Sequence, residues 1–213
     1  IAAILDAADA YRQKTKALVE KYDELTQSLF LDMFGDTKLN PKGWPTMSLV
    51  DACEEVIDCP HSTPKYVVKE TEYPCIRTTE LNGGSINWSK MKYLDYEGYI
   101  ERTKRLVPKS GDIIYGREGT FGEAAIVPAG CQMSLGQRVM LFRPKNSIMN
   151  STFFHAVIRS KGLYHQALRV TCGSTVGHIN VKDIKKFKLI ITPIKLQNQF
   201  AERVQAIEEQ KTQ

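Results

Sequence analysis

The chain has 213 residues, 42% of them hydrophobic, and carries a formal net charge of +5 at pH 7. This is enough for one domain with a real core plus an extension, and no apolar run approaches the length of a membrane span. The charge is uneven: residues 1–36 hold 4 basic and 7 acidic side chains, residues 195–213 hold 3 of each, and residues 37–194 carry an excess of +8. A basic middle region favours a polyanionic ligand over a membrane surface, although an ordinary lysine-rich surface would give the same charge.

The first 36 residues predict a long amphipathic helix. Apolar side chains recur at alternating steps of three and four, which is the pattern of a coiled-coil seam, and no Gly or Pro interrupts it before Gly35. Such a helix would be roughly 50 Å long, and its narrow apolar seam needs a partner. The seam residues are Ile4, Tyr11, Leu18, Tyr22, Leu25 and Leu29.

Residues 195–213 predict a second helix of the same character. Its apolar positions are Leu196, Phe200, Val204 and Ile207. Two interpretations stay open: two amphipathic helices packed on one core, or a helical spacer that carries a globular domain. Because the second helix is shorter, it can cover only part of the first. We expect the rest of the seam to contact another chain, most simply a second copy in an antiparallel homodimer.

Residues 37–194 are predicted to form a domain between the N-terminal helix 1–36 and the C-terminal helix 195–213. Short runs of β-branched and aromatic residues, such as Lys65–Val68 and Ala124–Val127, alternate with turn signals and predict many short strands. The expected fold class is α+β: a strand-rich domain flanked by long helices that form an antiparallel coiled coil. One longer helix is predicted at Phe153–Arg169, with a core face of Phe153, Phe154, Val157, Ile158 and Leu168.

The sequence lacks the motifs of common enzymes. The glycine-rich segment Gly116–Gly122 has neither the Gly-Lys-Ser/Thr of a phosphate loop nor a helix predicted after it. A nuclease of the common type needs an Asp and an Asp/Glu-x-Lys motif on neighbouring strands, and the sequence has no such arrangement. Five cysteines, without a Cys-x-x-Cys pair, indicate reduced thiols in a cytoplasmic protein, and Cys53, Cys59 and His61 lack a fourth zinc ligand. We expect no catalytic residue, metal or cofactor in this chain.

Polar side chains that can contact nucleic-acid bases are concentrated in loops of the basic region. Gln and Arg form bidentate hydrogen bonds with adenine and guanine, and prolines stiffen the loop around His61. For any single residue, turn formation or helix capping is an equally good explanation. The predicted DNA-binding residues are His61, Ser62, Thr63 and Lys65; Arg77, Thr78 and Thr79; Arg117, Glu118 and Thr120; Gln137 and Arg138; and Ser174, Thr175, His178 and Asn180.

The order of these segments resembles the specificity subunit of type I restriction–modification systems. Ile1–Asp6 and Leu29–Phe34 resemble its spacer helix, and Gly43–Pro45 resembles the start of a target recognition domain. One departure is Asn198, where the family usually has Glu, and this substitution would alter a spacer contact. The other matching segments follow the family's order: Asp58–Pro64, Ile76–Thr78, Gly111–Ile114, Gly119–Gly122, Gly136–Arg138, Gly173–Thr175 and Ile191–Pro193.

The resemblance implies that one recognition domain reads one half of a split double-stranded DNA target, while the helices fix the spacing between two such domains. A full subunit has two recognition domains, so this chain resembles a half subunit. Modification and restriction subunits would dock on this scaffold and carry the S-adenosylmethionine, ATP and Mg²⁺ chemistry, which leaves this chain non-catalytic. Two other classes stay open: a coiled-coil adaptor that binds only protein, and a fragment of a DNA methyltransferase or nuclease.

Overall fold

A computed structural model describes residues 2–119, 122–171 and 177–211 of the chain. Two antiparallel helices pack against a domain of short strands and short helices, and the predicted α+β class is confirmed. The helices are α1 (Ala2–Phe34), α2 (Leu49–Ala52), α3 (Tyr96–Thr103), α4 (Ser151–Ile158), α5 (Lys161–Thr171), α6 (Val181–Ile184) and α7 (Ile194–Lys211). The strands are β1 (Thr46–Ser48), β2 (Cys53–Asp58), β3 (Pro74–Ile76), β4 (Leu81–Asn82), β5 (Ser85–Ile86), β6 (Lys92–Tyr93), β7 (Ile113–Gly116), β8 (Ala124–Ile126), β9 (Ser134–Leu135), β10 (Val139–Pro144) and β11 (Lys188–Ile190).

The long first helix ends where its sequence stops supporting a helix. Gly35 follows α1 with φ +82° and donates its N–H to the carbonyl oxygen of Leu31 at 2.8 Å. This left-handed position satisfies a terminal carbonyl that the helix leaves unpaired, and it favours glycine. In the described ranges no helix is both long and apolar enough to cross a lipid bilayer.

Aromatic side chains join the two long helices to the domain. Phe34 of α1 packs against Phe153 of α4 and Phe200 of α7, with ring centroids 4.7 Å and 5.4 Å apart. At the other end of the contact, Lys211 Nζ lies 2.5 Å from Asp23 Oδ1. Residues late in α1 therefore meet residues early in α7, so the two helices are antiparallel, as predicted.

Most of the apolar seam of α1 is left uncovered within the chain. Phe30 and Phe34, which contact α7, lie about 100° and about 140° around the helix from seam position 29. Tyr22 and Leu29 are half-buried. The remaining seam residues, which are between 50% and 74% exposed, are Ile4, Tyr11, Leu18 and Leu25.

One face of α7 packs towards the domain, and Phe200 on this face is buried. The other three apolar positions predicted for this helix, Leu196, Val204 and Ile207, are half-buried. The side chain of Gln197 is fully buried and donates to the carbonyl oxygens of Ile148 and Thr192 at 2.9 Å and 2.8 Å. The atypical Asn198 accepts a hydrogen bond from Asn150 Nδ2 at 3.0 Å. This helix is therefore fixed to the domain by specific polar contacts as well as by packing.

A four-stranded antiparallel sheet, in the order β2-β10-β7-β8, separates two hydrophobic cores. Along β10, Met140 and Phe142 point into a core shared with α1, α4, α5 and α7, whereas Val139 and Leu141 point into a second core. The second core lies against the three-stranded sheet β6-β3-β9, in which β3 and β9 are parallel. Both faces of the inner strands β10 and β7 are thus buried. Two smaller pairs, β1 with β11 and β4 with β5, complete the sheets of the described ranges.

The predicted single helix Phe153–Arg169 is wrong, because the structure has two helices, α4 and α5, that break at Ser160. The segment after α1 packs into the break. The hydroxyl of Thr37 donates to Ser160 Oγ at 2.7 Å and accepts from the backbone N–H of Gly162 at 3.1 Å. A Cβ atom on Gly162 would lie 2.4 Å from Thr37 Oγ1, so this close approach requires glycine.

Two further local assignments differ from the sequence prediction. Leu168 is 38% exposed rather than in the core, because α5 turns Leu163 and Ala167 inwards instead. The predicted strand Lys65–Val68 forms a single bridge, from Val67 to β6, and is otherwise irregular. Both segments follow a bend that periodicity in the sequence does not reveal.

His155 lies on α4 where this helix packs against β8. Its Nε2–H donates to the carbonyl oxygen of Ala124 at 3.0 Å. The pKa of His155 is lowered to about 4, chiefly by desolvation on burial and also by the nearby charge of Arg159, against the opposing effect of hydrogen bonds to the backbone of Ala124 and Gly84. The imidazole is therefore neutral in the folded protein at pH 7.

We predict that this histidine makes the fold acid-sensitive. In the unfolded chain it would titrate near its ordinary pKa of 6.5, so the unfolded state binds more protons between pH 6.5 and about 4. The contribution of His155 to stability should be complete above pH 6.5 and lost as the pH falls through that window. At about 1.4 kcal/mol per pKa unit, the loss is at most roughly 3.5 kcal/mol.

The measurement is the free energy of urea unfolding at pH 7 and at about pH 4.5. His155→Gln should flatten the difference between the two values, since glutamine cannot take up the proton. The exposed His61→Gln is the control for the loss of one imidazole. Equal flattening by both variants would contradict the assignment to His155.

Candidate nucleic-acid interface

Strand pairing brings five polar segments to one edge of the domain. In the antiparallel pairs, Asp58 at the end of β2 lies opposite Met140, and Gly116 at the end of β7 lies opposite Val139. The segments that leave β2 and β7 therefore meet the segment that enters β10. In the parallel pair β3–β9, the last residues of the two strands, Ile76 and Leu135, lie opposite each other, so the segments after β3 and β9 begin side by side. We call this edge, with the segments 58–65, 77–80, 117–119, 136–138 and 177–180, the reading edge.

A buried ion pair lies at the centre of the reading edge. Arg117 Nε donates to Asp58 Oδ1 at 2.9 Å, and the two side chains are only 8% and 14% exposed. The backbone N–H of Arg117 donates to the carbonyl oxygen of Arg138, and its carbonyl oxygen accepts from Ile179, both at 3.0 Å. Arg117 thus ties three segments of the edge together, and a direct contact with DNA would require its ion pair to break.

An alternating row of acids and bases surrounds this pair. Glu118 lies 3.4 Å from the guanidinium of Arg138 and 3.6 Å from the imidazole of His178. His61, on the other side, lies 3.5 Å from Asp58. Arg138 is 62% exposed and has a positive φ of 66°, an uncommon conformation for a residue other than glycine.

The segment after β3 is held by a second ion pair. Arg77 Nη2 lies 2.5 Å from Glu80 Oε1, and Glu80 is fully buried. The guanidinium of Arg77 also stacks over the ring of Tyr66, 5.5 Å from its centroid. The hydrogen bond with Glu80 raises the pKa of Arg77 above its ordinary value, so this side chain is a permanent cation at the edge.

The predicted DNA-binding residues fall into three groups. His61, Ser62, Thr63, Lys65, Thr79, Arg138 and Asn180 are exposed at the reading edge. Arg77, Thr78, Arg117, Glu118, Gln137 and His178 are half-buried or buried, and five of these six, Arg77, Arg117, Glu118, Gln137 and His178, form side-chain contacts within the edge. Thr120, Ser174 and Thr175 lie outside the described residues. Contact of any of them with DNA stays a prediction.

Asp58, Glu80 and Arg102 hold this edge together, although none of them was among the predicted DNA-binding residues. Asp58 and Glu80 hold the two arginines described above. Arg102 lies on the polar helix α3, and its hydrogen-bond acceptors are between 33 and 42 residues away in the chain. No local pattern could have identified it, because its function in the fold depends on contacts between distant segments.

No group of three or more His, Cys, Asp or Glu side chains that could hold a metal ion occurs in the described part of the chain. Cys53, Cys59 and Cys75 are buried free thiols, and Cys131 is half-buried. Burial raises the pKa of Cys53 to about 12, so its thiol stays protonated at neutral pH.

Comparison with known proteins gives the family. A family model described as "Type I restriction modification DNA specificity domain" matches residues 41–213. The chain belongs to this family. The match covers the whole strand-rich specificity domain and the helix α7 that follows it.

Solved structures share the fold of this specificity domain. The HsdS subunit from Thermoanaerobacter tengcongensis is 15% identical, with a TM-score of 0.54 over 99% of this chain and 49% of that one. The S subunit of a type I restriction–modification system from M. genitalium is 13% identical, with a TM-score of 0.65 over 99% and 53%. A chain from a structure on complex assembly and conformational transition of the type I R-M system is 15% identical, with a TM-score of 0.57 over 99% and 52%. The present chain therefore spans about half the length of the chains that it matches.

The buried Arg117–Asp58 pair gives a prediction for stability. Arg117→Met should destabilise the fold by roughly 3–5 kcal/mol, because it leaves the largely buried Asp58 carboxylate with only the exposed His61 imidazole nearby, at 3.5 Å. Replacing both residues, with Asp58→Leu added, should restore part of the loss, since no buried charge then remains. The measurement is the free energy of urea unfolding for both single variants and the double variant.

Lys104→Met is the control, since it removes one partner of the exposed ion pair with Glu101. We expect a change below about 1 kcal/mol for this variant. A loss as small for Arg117→Met would contradict a structural role of the buried pair.

Proposed function

We propose that this specificity domain reads one half of a split DNA target for a type I restriction–modification complex. The observation that carries the proposal is the convergence of five polar segments, from different strands, on one edge of the basic domain. Membership of the DNA specificity family supports it, and the net charge of +8 over residues 37–194 supplies the attraction for phosphates.

In this proposal the exposed and the held side chains have different tasks. The exposed ones, His61, Ser62, Thr63 and Arg138 among them, contact base edges, with Arg138 suited to guanine. Glu118 can accept a hydrogen bond from the amino group of cytosine if Arg138 turns towards the DNA. The held arginines, Arg77 and Arg117, keep the edge in one shape and add positive charge. Fixed shape matters because a bidentate contact tolerates little displacement.

We further propose that the chain is not itself an enzyme. Modification and restriction subunits would supply the sites for S-adenosylmethionine, ATP and Mg²⁺, and the helices α1 and α7 would be the scaffold on which they assemble. The family's description as a specificity domain supports this division, as does the structural likeness to a chain from a type I R-M complex assembly.

The uncovered stripe on α1 is the proposed assembly surface. Its members follow one another at intervals of seven residues, the repeat of a left-handed coiled coil: Ile4, Tyr11, Leu18 and Leu25. Exposed apolar stripes of this size mark protein contacts. The simplest partner is a second copy arranged antiparallel, with one specificity domain at each end, and such a homodimer would read a palindromic split target.

The DNA-binding part of the proposal is tested with duplexes of random sequence followed by titration with salt. We predict that the unmodified chain binds duplex DNA and that log K falls linearly with log[salt]. Arg138→Ala should relax the preference at one base position, by roughly 1–3 kcal/mol, whereas Lys65→Ala should weaken binding to all sequences alike. Lys14→Ala, a charge removal on α1, is the matched control and should change neither.

No affinity for duplexes at low salt, with or without a modification subunit, would contradict the proposal and favour the adaptor that binds only protein. Turnover of S-adenosylmethionine or cleavage of DNA by the chain alone would contradict the non-catalytic assignment. These two outcomes are independent of each other.

The assembly part is tested by light scattering on the purified chain. We predict a dimer at micromolar concentration, which Leu18→Glu together with Leu25→Glu converts to a monomer, because each charge would have to be buried in the seam. Leu39→Glu places the same charge at an exposed apolar residue outside α1 and should leave the dimer intact. A monomeric unmodified chain would point to helices of a modification subunit as the cover for the stripe.

A further inference from the structure

Arg102, on the last turn of α3, is a buried cation that forms no ion pair with any described carboxylate. It is 5% exposed. Burying a charge without a counter-ion is costly unless its hydrogen-bonding groups are satisfied. Other arginines in the domain solve this problem with an acid, since Arg77 pairs with Glu80, Arg117 with Asp58 and Arg143 with Asp112.

The guanidinium of Arg102 is satisfied by backbone carbonyls of two different loops. Nη1 donates to the carbonyl oxygen of Ser62 at 2.7 Å, and Nη2 reaches that of Pro60 at 3.3 Å. On the other side, Nε and Nη2 donate to Leu135 at 2.9 Å and 2.7 Å, and Nη2 donates to Gly136 at 2.5 Å. Because the guanidinium is planar and rigid, these bonds fix the separation of the two loops.

The carbonyls that Arg102 holds flank the side chains expected to read bases. His61 lies between Pro60 and Ser62, and Gln137 and Arg138 directly follow Gly136. The two loops are also joined at the surface, where Gln137 Nε2 donates to Thr63 Oγ1 at 3.1 Å. That exposed contact can open when DNA approaches, whereas the buried contacts of Arg102 can persist.

The third converging segment leaves little room for adjustment. The backbone N–H of Gly136 donates to the carbonyl oxygen of Ile76 at 2.7 Å, and a Cβ atom on Gly136 would lie 2.5 Å from Arg77 Cγ. The loop after β9 is thus fixed against the segment after β3 on one side and against Arg102 on the other. A change at Arg102 would therefore move the loop around His61 relative to the other two.

We infer that Arg102 is a positioning residue that determines sequence discrimination without touching DNA. It sets the distance between the side chain of His61 and those of Gln137 and Arg138, and so decides which pattern of base edges can be contacted simultaneously. Its unpaired charge also lies directly beneath the reading edge, where salt screens it less than an exposed charge, and adds to the attraction for phosphates. This inference rests on the proposed function.

Two substitutions at Arg102 separate its effect on loop geometry from the effect of its charge. Arg102→Lys keeps the charge but cannot hold four carbonyls in one plane, and Arg102→Met removes both charge and hydrogen bonds. Arg143→Lys is the matched control, because it breaks the fork of another partly buried arginine, with Asp112, whose contacts lie outside the reading edge. The thermal unfolding of each variant is measured first, and binding is then compared at a temperature at which all the variants are folded.

The probe is a pool of duplexes with a randomised centre, bound by the full chain, with the modification subunit added if the chain alone does not bind. The bound fraction is sequenced, and affinity is then measured for the most enriched duplex and for an unselected one. Arg102→Lys should lower the ratio of these two affinities by on the order of tenfold or more, since one misplaced base contact alone is worth that much. Its affinity for the unselected duplex should stay unchanged, and Arg143→Lys should retain the full ratio.

Amide hydrogen exchange gives a second measurement that needs no DNA. Exchange in residues 60–63 and 135–138 should quicken in Arg102→Lys and stay slow in Arg143→Lys. An unchanged affinity ratio in Arg102→Lys would overturn this inference and leave the proposed function standing. The same holds if Arg102→Met lowers the affinity for both duplexes equally, so that their ratio does not change. A parent chain that enriches no sequence would overturn the proposed function, and this inference with it.

Discussion

The pairing of β10 with β2 on one side and β7 on the other is the constraint on which the domain depends. Its register places the end of β2, the end of β7 and the start of β10 at one edge, so segments distant in the chain meet there. The same strand directs Met140 and Phe142 into one core and Val139 and Leu141 into the other. A slip of one residue would exchange these faces and misalign every segment of the reading edge. The packing of both cores and the geometry of the reading edge are therefore linked through one strand.

Buried arginines give the reading edge its fixed shape in two different ways. Arg77 and Arg117 each pair with a carboxylate that compensates their charge: the Arg77–Glu80 pair fixes the segment 77–80, and the Arg117–Asp58 pair joins two segments. Arg102 donates hydrogen bonds only to backbone carbonyls and to the hydroxyl of Ser62. No described carboxylate therefore compensates its positive charge. Polar networks of this kind contribute little net stability but strongly favour one arrangement of loops, because every alternative leaves a buried group unsatisfied. An edge made of irregular segments keeps one shape only through that selectivity.

The junction between the helices and the domain is equally specific. Rings of Phe30, Phe34, Phe153 and Phe200 interlock between α1, α4 and α7, and Gln197 fixes α7 through buried hydrogen bonds. The domain is thus attached to the helices over an extended buried contact and not through a flexible linker. On the N-terminal side of that contact, the apolar stripe of α1 is exposed. The part of the helix that anchors the domain is therefore distinct from the part that carries the exposed stripe.

The sequence by itself determined the two long helices and the α+β class, because heptad periodicity and the absence of Gly and Pro are local properties. It also located most segments of the reading edge, since Gly, Pro and polar side chains mark loops wherever they occur. Only the tertiary structure decided that α7 packs on Phe30 and Phe34 and leaves Ile4, Tyr11, Leu18 and Leu25 exposed. It decided as well that the helix predicted at Phe153–Arg169 breaks at Ser160, where Thr37 packs. It also decided which polar residues are held and which are exposed: Arg117 and Arg138 look alike in the sequence, but one is buried against Asp58 and the other projects outwards. The roles of Asp58, Glu80 and Arg102 depend on which backbone carbonyls and charges lie beside them, and those neighbours are set by strand pairing between residues far apart in the chain.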